Sequence, residues 1–231
     1  MLKEKFPTNT LYYAGGVALN VVANEKIIRS GLFENIILNG SVEDNGTAIG
    51  AALAASNVLI NKRVAETVTD YYGKTYANDE ILTAIEKFRF VYEFIEEDKL
   101  YEKVASLIYE NKVIGWFQGR SEFGPRALGN RSILADPRIS KMKDILNEKI
   151  KHRESFRPFA PSILEEYISE YFELDIPSPY MLLVANVKKP DKIPAVTHVD
   201  GTGRLQSVSK NSNPLYYDLI SEFYKITNIP V

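Results

Sequence analysis

The chain has 231 residues, with 28 Lys and Arg against 30 Asp and Glu for a formal charge of −2, and it is 45% hydrophobic and 25% charged. These proportions suit a folded chain with a packed core and exclude a global polycation, so any grip on anions must come from a local concentration of basic residues. Cysteine is absent, which excludes disulfides, thiol catalysis, iron–sulfur clusters and cysteine zinc sites and leaves oxygen and histidine as the only metal ligands.

Thr10 to Ala14 is a short β-prone run that ends at the Gly15-Gly16 pair, and Val17 to Arg29 then carries apolar residues at helical spacing. Ile36 to Leu38 predicts a second strand, Asn39 to Gly46 a turn, and Thr47 to Leu59 a helix rich in alanine and glycine. These elements cannot bury their faces alone, so residues 1–60 are expected to be the end of a larger domain, with apolar helix faces left exposed. Residues 61–90 are polar and tyrosine-rich and read as a linker with a capped helix from about Asn78. Residues 91–231 are expected to form a mixed α/β domain of an ordinary size. Within it, Leu100, Val104, Leu107 and Ile108 mark one face of a helix over Asp98 to Asn111, and Val113 to Phe117 reads as a buried strand. A helix over Ile139 to Lys149 follows, then strands over Met181 to Val187, Ala195 to Val199 and Arg204 to Val208, and a last helix over Pro214 to Ile226. The N-terminus has no continuous apolar stretch of the signal-peptide kind and no run approaches the roughly 18 apolar residues of a membrane span, which predicts a cytoplasmic protein.

Chemistry concentrates in three places. From Gly119 to Arg138, four arginines (Arg120, Arg126, Arg131, Arg138) alternate with three glycines and two prolines, a composition of rigid turns whose amides and guanidinium forks can converge on an anion. Lys151 and the Arg153-Glu-Ser-Phe-Arg157 block add a second basic group, again ending in a proline-stiffened turn. The competing reading pairs these arginines with Glu122, Asp136, Glu154 and surface carboxylates. Nucleic acid is the rival anion, but the chain is net acidic and lacks an extended basic helix or an aromatic stacking motif. The second place is His198-Val-Asp-Gly-Thr-Gly-Arg204, where strand alternation would put His198 and Asp200 on one face before a glycine turn leads to Arg204. Two ligands are too few for a metal site, which leaves a polar pocket role or structural hydrogen bonding. The third is Gly15-Gly16 with Asn20, where backbone can approach a phosphate, together with Asp44, either a helix N-cap worth about 1 kcal/mol or a carboxylate ligand to a metal.

The runs Gly119 to Arg138, Arg153 to Ser162 and Pro194 to Gln206 closely resemble the C-terminal, YrdC-like domain of NodU/CmcH-type O-carbamoyltransferases, and Ala14 to Asn20 with Asp44 to Ala52 resemble the end of that family's actin-like N-terminal domain. The resemblance implies a YrdC-like mixed twisted sheet with helices over 91–231, preceded by the C-terminal remnant of an actin-like (ASKHA) α/β domain over 1–60. It also implies ATP-dependent O-carbamoyl transfer. Carbamoyl phosphate and ATP, with Mg²⁺, would give carbamoyl adenylate, and the carbamoyl group would then pass to a hydroxyl of a sugar or small-molecule acceptor. Arg126, Arg131, Lys151 and Arg157 become the candidate catalytic residues. Arg120, Asn130, Ser132, Arg153, His198, Asp200, Thr202 and Arg204 join them as candidates for holding carbamoyl phosphate and ATP. Gly15, Gly16 and Asn20 match a nucleotide-contacting motif, and Asp44 matches an aspartate that ligates Fe²⁺ or another divalent ion. That metal site also uses a His-x-x-x-His pair, which neither His152 nor His198 supplies, so the site is expected to be incomplete. The family pattern further implies that the chain is truncated at both ends and would need a separate N-terminal chain or subunit to complete transfer. The alternatives are a YrdC-like RNA-binding module without catalysis and an inactive fragment.

Overall fold

A computed structural model describes residues 2–63 and 70–231; positions 64–69 of the expected linker lie outside the described residues. The first part opens with a one-turn helix α1 (Leu2–Lys5), then β1 (Thr10–Tyr12), a 3₁₀ turn (Gly16–Leu19), α2 (Val21–Arg29), β2 (Asn35–Ile37) and α3 (Asn45–Ile60). β1 and β2 pair in parallel, Leu11 opposite Ile36. Gly15 stands at φ 99°, which lets the chain leave β1 and turn into α2. The Asn20 side chain caps α2 by accepting from the Ala23 amide at 3.1 Å. α3 buries none of its residues, and Val58 and Leu59 are each 78% exposed.

The remaining elements are α4 (Asn78–Lys87), α5 (Glu97–Tyr109), β3 (Ile114–Phe117), β4 (Arg131–Leu134), α6 (Met142–Ile145) running into a π turn (Leu146–Lys151), β5 (Ser162–Leu164), a 3₁₀ turn and α7 (Ile168–Tyr171), β6 (Ala185–Asn186), β7 (Thr202–Gly203), β8 (Gln206–Val208) and α8 (Pro214–Thr227). The strands join as four two-stranded ladders: β3 with β4 and β6 with β7 antiparallel, β1 with β2 and β5 with β8 parallel. This is the mixed α/β architecture expected, with no closed barrel. Among the described residues no helix is long and apolar enough to cross a membrane.

Three elements depart from the sequence reading. The strand over Ile114–Phe117 is not buried along its length: Trp116 faces the core, while Phe117 is 56% exposed. The stretch Ala195 to Val199 is not a strand: Pro194 starts a 3₁₀ turn over Pro194–Val196, and Thr197 Oγ1 donates back to the Ile193 carbonyl at 2.9 Å, closing the chain on itself. Of Met181 to Val187 only Ala185 and Asn186 form a ladder, because the preceding residues cross the interior, where Asn24 Nδ2 donates to the Leu182 carbonyl at 2.9 Å.

α5 and α8 pack together through Val104, Ala105 and Ile108 against Leu219, Ile220 and Phe223, closed below by Trp116 of β3, Leu164 of β5 and Val208 of β8. Each such large side chain contributes ~1.5–3 kcal/mol over an exposed one. A second cluster around Ile163, Phe172, Ile193 and Leu205 supports the loops that carry His198 and Arg204. A third, Ala18 and Val42 with Leu182, packs the first part of the chain onto the second. The cores thus grip both ends of every loop that the basic residues occupy.

Candidate active site

The loop between β3 and β4 is built around a carboxylate. Glu122 Oε1 accepts from the backbone amides of Leu128 at 2.6 Å, Asn130 at 2.9 Å and Arg131 at 3.4 Å, so one side chain folds Gly124 to Arg131 into a closed turn. Gly129 makes that turn possible: its φ is 100°, and a Cβ there would overlap the Tyr216 ring. A buried amide network fixes the base of the loop. Trp116 Nε1 donates to Gln118, whose amide donates to Asn130 and Asn213, while Asn213 Nδ2 also donates to Asn130 and to Tyr71 Oη. Tyr71 in turn donates to the Leu128 carbonyl at 2.9 Å, and burial pushes its phenol well above the usual range. Every member of the network is paired, the condition under which a buried polar cluster rigidifies a fold.

This loop forms one wall of a cavity of about 410 Å³. Arg126 comes from it, Ser132 from β4, Lys143 from α6, Lys151 and Arg153 from the end of the π turn and the residues after it, and Arg204 from the turn between β7 and β8. The same lining has an apolar share from Met142, Leu146, Phe159, Ile220 and Phe223. Asp136 is the one acidic side chain on the lining among the described residues and is committed: Arg138 takes both its oxygens, Nε to Oδ1 at 2.9 Å and Nη2 to Oδ2 at 2.6 Å. Arg126, Arg153 and Arg204 have no carboxylate within ion-pair distance among the described residues. Arg126 Nε and Arg204 Nε are buried without a hydrogen-bond partner. Burial first, then repulsion from Arg126 and Arg153, lowers the Arg204 guanidinium to about 10. Converging, unneutralised cations are costly in an empty protein and become favourable when an anion of several oxygens sits between them.

The other predicted residues divide. Arg153 Nε donates to Asn147 Oδ1 at 2.7 Å and its guanidinium lies over the Phe159 ring, which aims it at the cavity. Arg131 pairs with Phe117 across the β3–β4 ladder, stacks on that ring 3.4 Å from its centroid and donates to the Gln118, Gly119 and Asn130 carbonyls; it braces the loop from outside the cavity. Arg157 is half exposed and paired with Glu154 at 2.8 Å. Arg120 is exposed, contributing its carbonyl to Asn130. Ser132 Oγ accepts from the Gly129 amide at 3.0 Å, and Asn130 belongs to the buried network. The competing ion-pair reading therefore holds for Arg138 and Arg157 and not for Arg126, Arg153 or Arg204. His198, Asp200 and Thr202 come together through a turn instead of a strand face: the His198 amide donates to the Thr202 carbonyl at 2.7 Å, and Gly201 closes the turn at φ 79°.

Gly15, Gly16 and Asn20 gather at the start of α2, away from the cavity. Asp44 is exposed ahead of α3 and makes no side-chain cap. No group of three or more His, Asp or Glu residues able to hold a metal ion exists among the described residues, so a lone Asp44 does not fit Fe²⁺, and no step is derived through that ion.

The sequence reading passed over four residues that shape the cavity. Lys143 sits among apolar helix positions and carries no motif. Glu122 was read as an ion-pair partner, and nothing in its spacing announces three amide bonds. Asn147, 1% exposed, holds the Arg153–Arg157 loop by donating to the Ser155 and Arg157 carbonyls. Phe159 is recognisable only from the stack it makes.

Residues 105–231 match the family described as carbamoyltransferase C-terminus, and residues 1–53 match carbamoyltransferase N-terminus. The chain belongs to the carbamoyltransferase family. It is 45% identical over 228 residues to nodulation protein NolO of Bradyrhizobium diazoefficiens, covering 96% of this chain and 42% of that protein. It is 42% identical over 257 residues to the uncharacterized protein sll1178 of Synechocystis, covering 99% and 42% respectively. Against nodulation protein U of Rhizobium fredii the identity is 37% over 223 residues, covering 96% and 36%. This carbamoyltransferase chain thus spans about two fifths of the length of the relatives it matches.

Proposed function

We propose that the chain carries the activating site of an ATP-dependent O-carbamoyltransferase, in which carbamoyl phosphate and ATP yield carbamoyl adenylate for later transfer to a hydroxyl. The observation that carries this reading is that Arg126, Arg153 and Arg204, with no carboxylate within ion-pair distance among the described residues, line a single cavity together with Lys143, Lys151 and several apolar side chains. Atom balance sets what the site must handle. Carbamoyl phosphate is hydrolysed to carbamate and inorganic phosphate; a carbamate oxygen then bonds to the α-phosphorus of ATP as the bond to the pyrophosphate oxygen breaks. Every species except water is anionic. The guanidinium groups offset the mutual repulsion of the reactants, hold them in register and neutralise charge that grows on the departing pyrophosphate. Fixed donors suit this task because they need no reorganisation when the charge develops.

Mg²⁺ would supply further charge neutralisation at the nucleotide phosphates. Asp136, the acidic side chain on the lining, is held by Arg138, so the ion would be ligated by phosphate oxygens and water. The apolar share of the lining, from Met142, Leu146, Phe159, Ile220 and Phe223, suits the face of a base. An RNA-binding module would instead spread its cations over an exposed surface for phosphate tracking.

The test is carbamoyl-phosphate-dependent exchange between ATP and labelled pyrophosphate. The intact chain should exchange, and Arg126→Ala or Arg204→Ala should reduce exchange at least a hundredfold. Exchange at the parental rate in both variants would dismiss the arginine assignment.

A further inference from the structure

His198 does not line the cavity, but it interacts with Arg204 and Lys143, which do, and it has a defined protonation pattern that gripping phosphate with arginine does not require. Thr202 Oγ1 donates to Asp200 Oδ1 at 2.7 Å, and the Thr202 amide donates to the same oxygen at 3.0 Å. A hydroxyl has one proton, and this one is committed to the carboxylate. The 3.0 Å contact between Thr202 Oγ1 and His198 Nδ1 must therefore run from the imidazole N–H to the hydroxyl lone pair. That places the proton of neutral His198 on Nδ1 and leaves Nε2 as a lone pair. Nε2 is buried and has no hydrogen-bond partner.

Three charged groups act on the ring: Asp200 on its own turn, Arg204 beyond β7, and Lys143 on α6. Both cations line the cavity. Burial first, with Arg204 and Lys143 adding to it against the pull of Asp200, holds the imidazole below its ordinary value, so the ring is neutral in the empty protein at pH 7. An anion entering the cavity reverses the balance, since its charge sits against the same two cations.

We propose that His198 is a proton-accepting positioning residue of the anion site: when a phosphate-class anion binds among Arg126, Arg153 and Arg204, Nε2 takes up one proton from solvent, and the imidazolium is braced through Thr202 to the Asp200 carboxylate. One N–H bond forms and no other covalent bond changes. The inference rests on the anion-pocket reading and adds the group that couples that pocket to protons. The sign follows from linkage. Binding with proton uptake strengthens as pH falls through the window between the free and bound values of the ring and is level outside it. Each unit by which the anion raises the ring is a tenfold gain in affinity across that window.

The chain has two histidines, so ring resonances can be followed in the intact protein, with His152→Gln assigning the pair. The probe is sodium sulfate, which stays a dianion across the titration. Saturating sulfate should raise the His198 midpoint by at least one unit. Thr202→Val should shrink the rise, and His198→Asn should remove the roughly tenfold pH dependence of sulfate affinity. A His198 midpoint that stays put or falls while sulfate binds would overturn the proposal and leave the anion pocket intact. Failure of sulfate to perturb any pocket residue would overturn both, so the two failures are distinct.

Discussion

Glu122→Ala removes one oxygen that accepts three backbone amides, and the structure fixes what that should do. The bonds from Leu128 and Asn130, at 2.6 and 2.9 Å, are short and charge-assisted, whereas the Arg131 contact at 3.4 Å is weak. With ~1.5–3 kcal/mol for a hydrogen bond to a charged group and part of the loss recovered by water at this half-buried site, the variant should lose about 3–4 kcal/mol. For a chain of this size that corresponds to a fall of roughly 6–16 °C in melting temperature. Glu122→Gln keeps a carbonyl oxygen in place and should lose only about 1 kcal/mol. Because Arg126 rides on the same loop, pyrophosphate affinity should fall with loop order, steeply in the alanine variant and mildly in the glutamine one. Thermal unfolding by circular dichroism and titration calorimetry read the two effects. An alanine variant that melts within about 2 °C of the parent and binds pyrophosphate equally well would refute the claim that this carboxylate organises the loop.

Gly129→Ala forces a side chain into positive φ and against the Tyr216 ring, so it should cost roughly 2–4 kcal/mol, and Tyr216→Ala in the same chain should recover part of that loss in a double-mutant cycle of chemical denaturation. Arg204→Met should act with opposite signs: it relieves repulsion from Arg126 and Arg153, so the empty protein should be as stable as the parent or more so, while pyrophosphate binding weakens at least tenfold; a clearly less stable empty protein would contradict the view that these cations are strained without an anion.

Elements with a strong local period were legible from sequence. Val104 and Ile108 in α5 and the apolar face of α8 follow helical spacing, and both helices lie within a few residues of where that spacing puts them. The convergence of Arg126, Arg153 and Arg204 was legible as composition, since glycine and proline among arginines describe a rigid basic turn. Which guanidinium points inward was not, because β4 was hidden inside that stretch. Its register sets Arg131 opposite Phe117, and the cross-strand stack then holds the side chain outside the cavity. Arg157 is likewise drawn off by Glu154, three residues before it. Lys143, Asn147 and Glu122 matter through backbone groups or through residues distant in sequence, and no spacing encodes such contacts. The link from His198 to Asp200 was not legible either: it runs through Thr202 and a tight turn, because Pro194 replaced the expected strand with a 3₁₀ turn, and none of the three lines the cavity.

The claim beneath the whole account is spatial: guanidinium groups from three separate loops close on one anion. Soaking crystals of the chain with sodium tungstate and locating the tungsten by anomalous scattering tests it without any assumption about catalysis. A strong peak within contact distance of Arg126, Arg153 and Arg204 is the expected result. Tungsten bound elsewhere on the protein, with nothing between those three side chains, would contradict it.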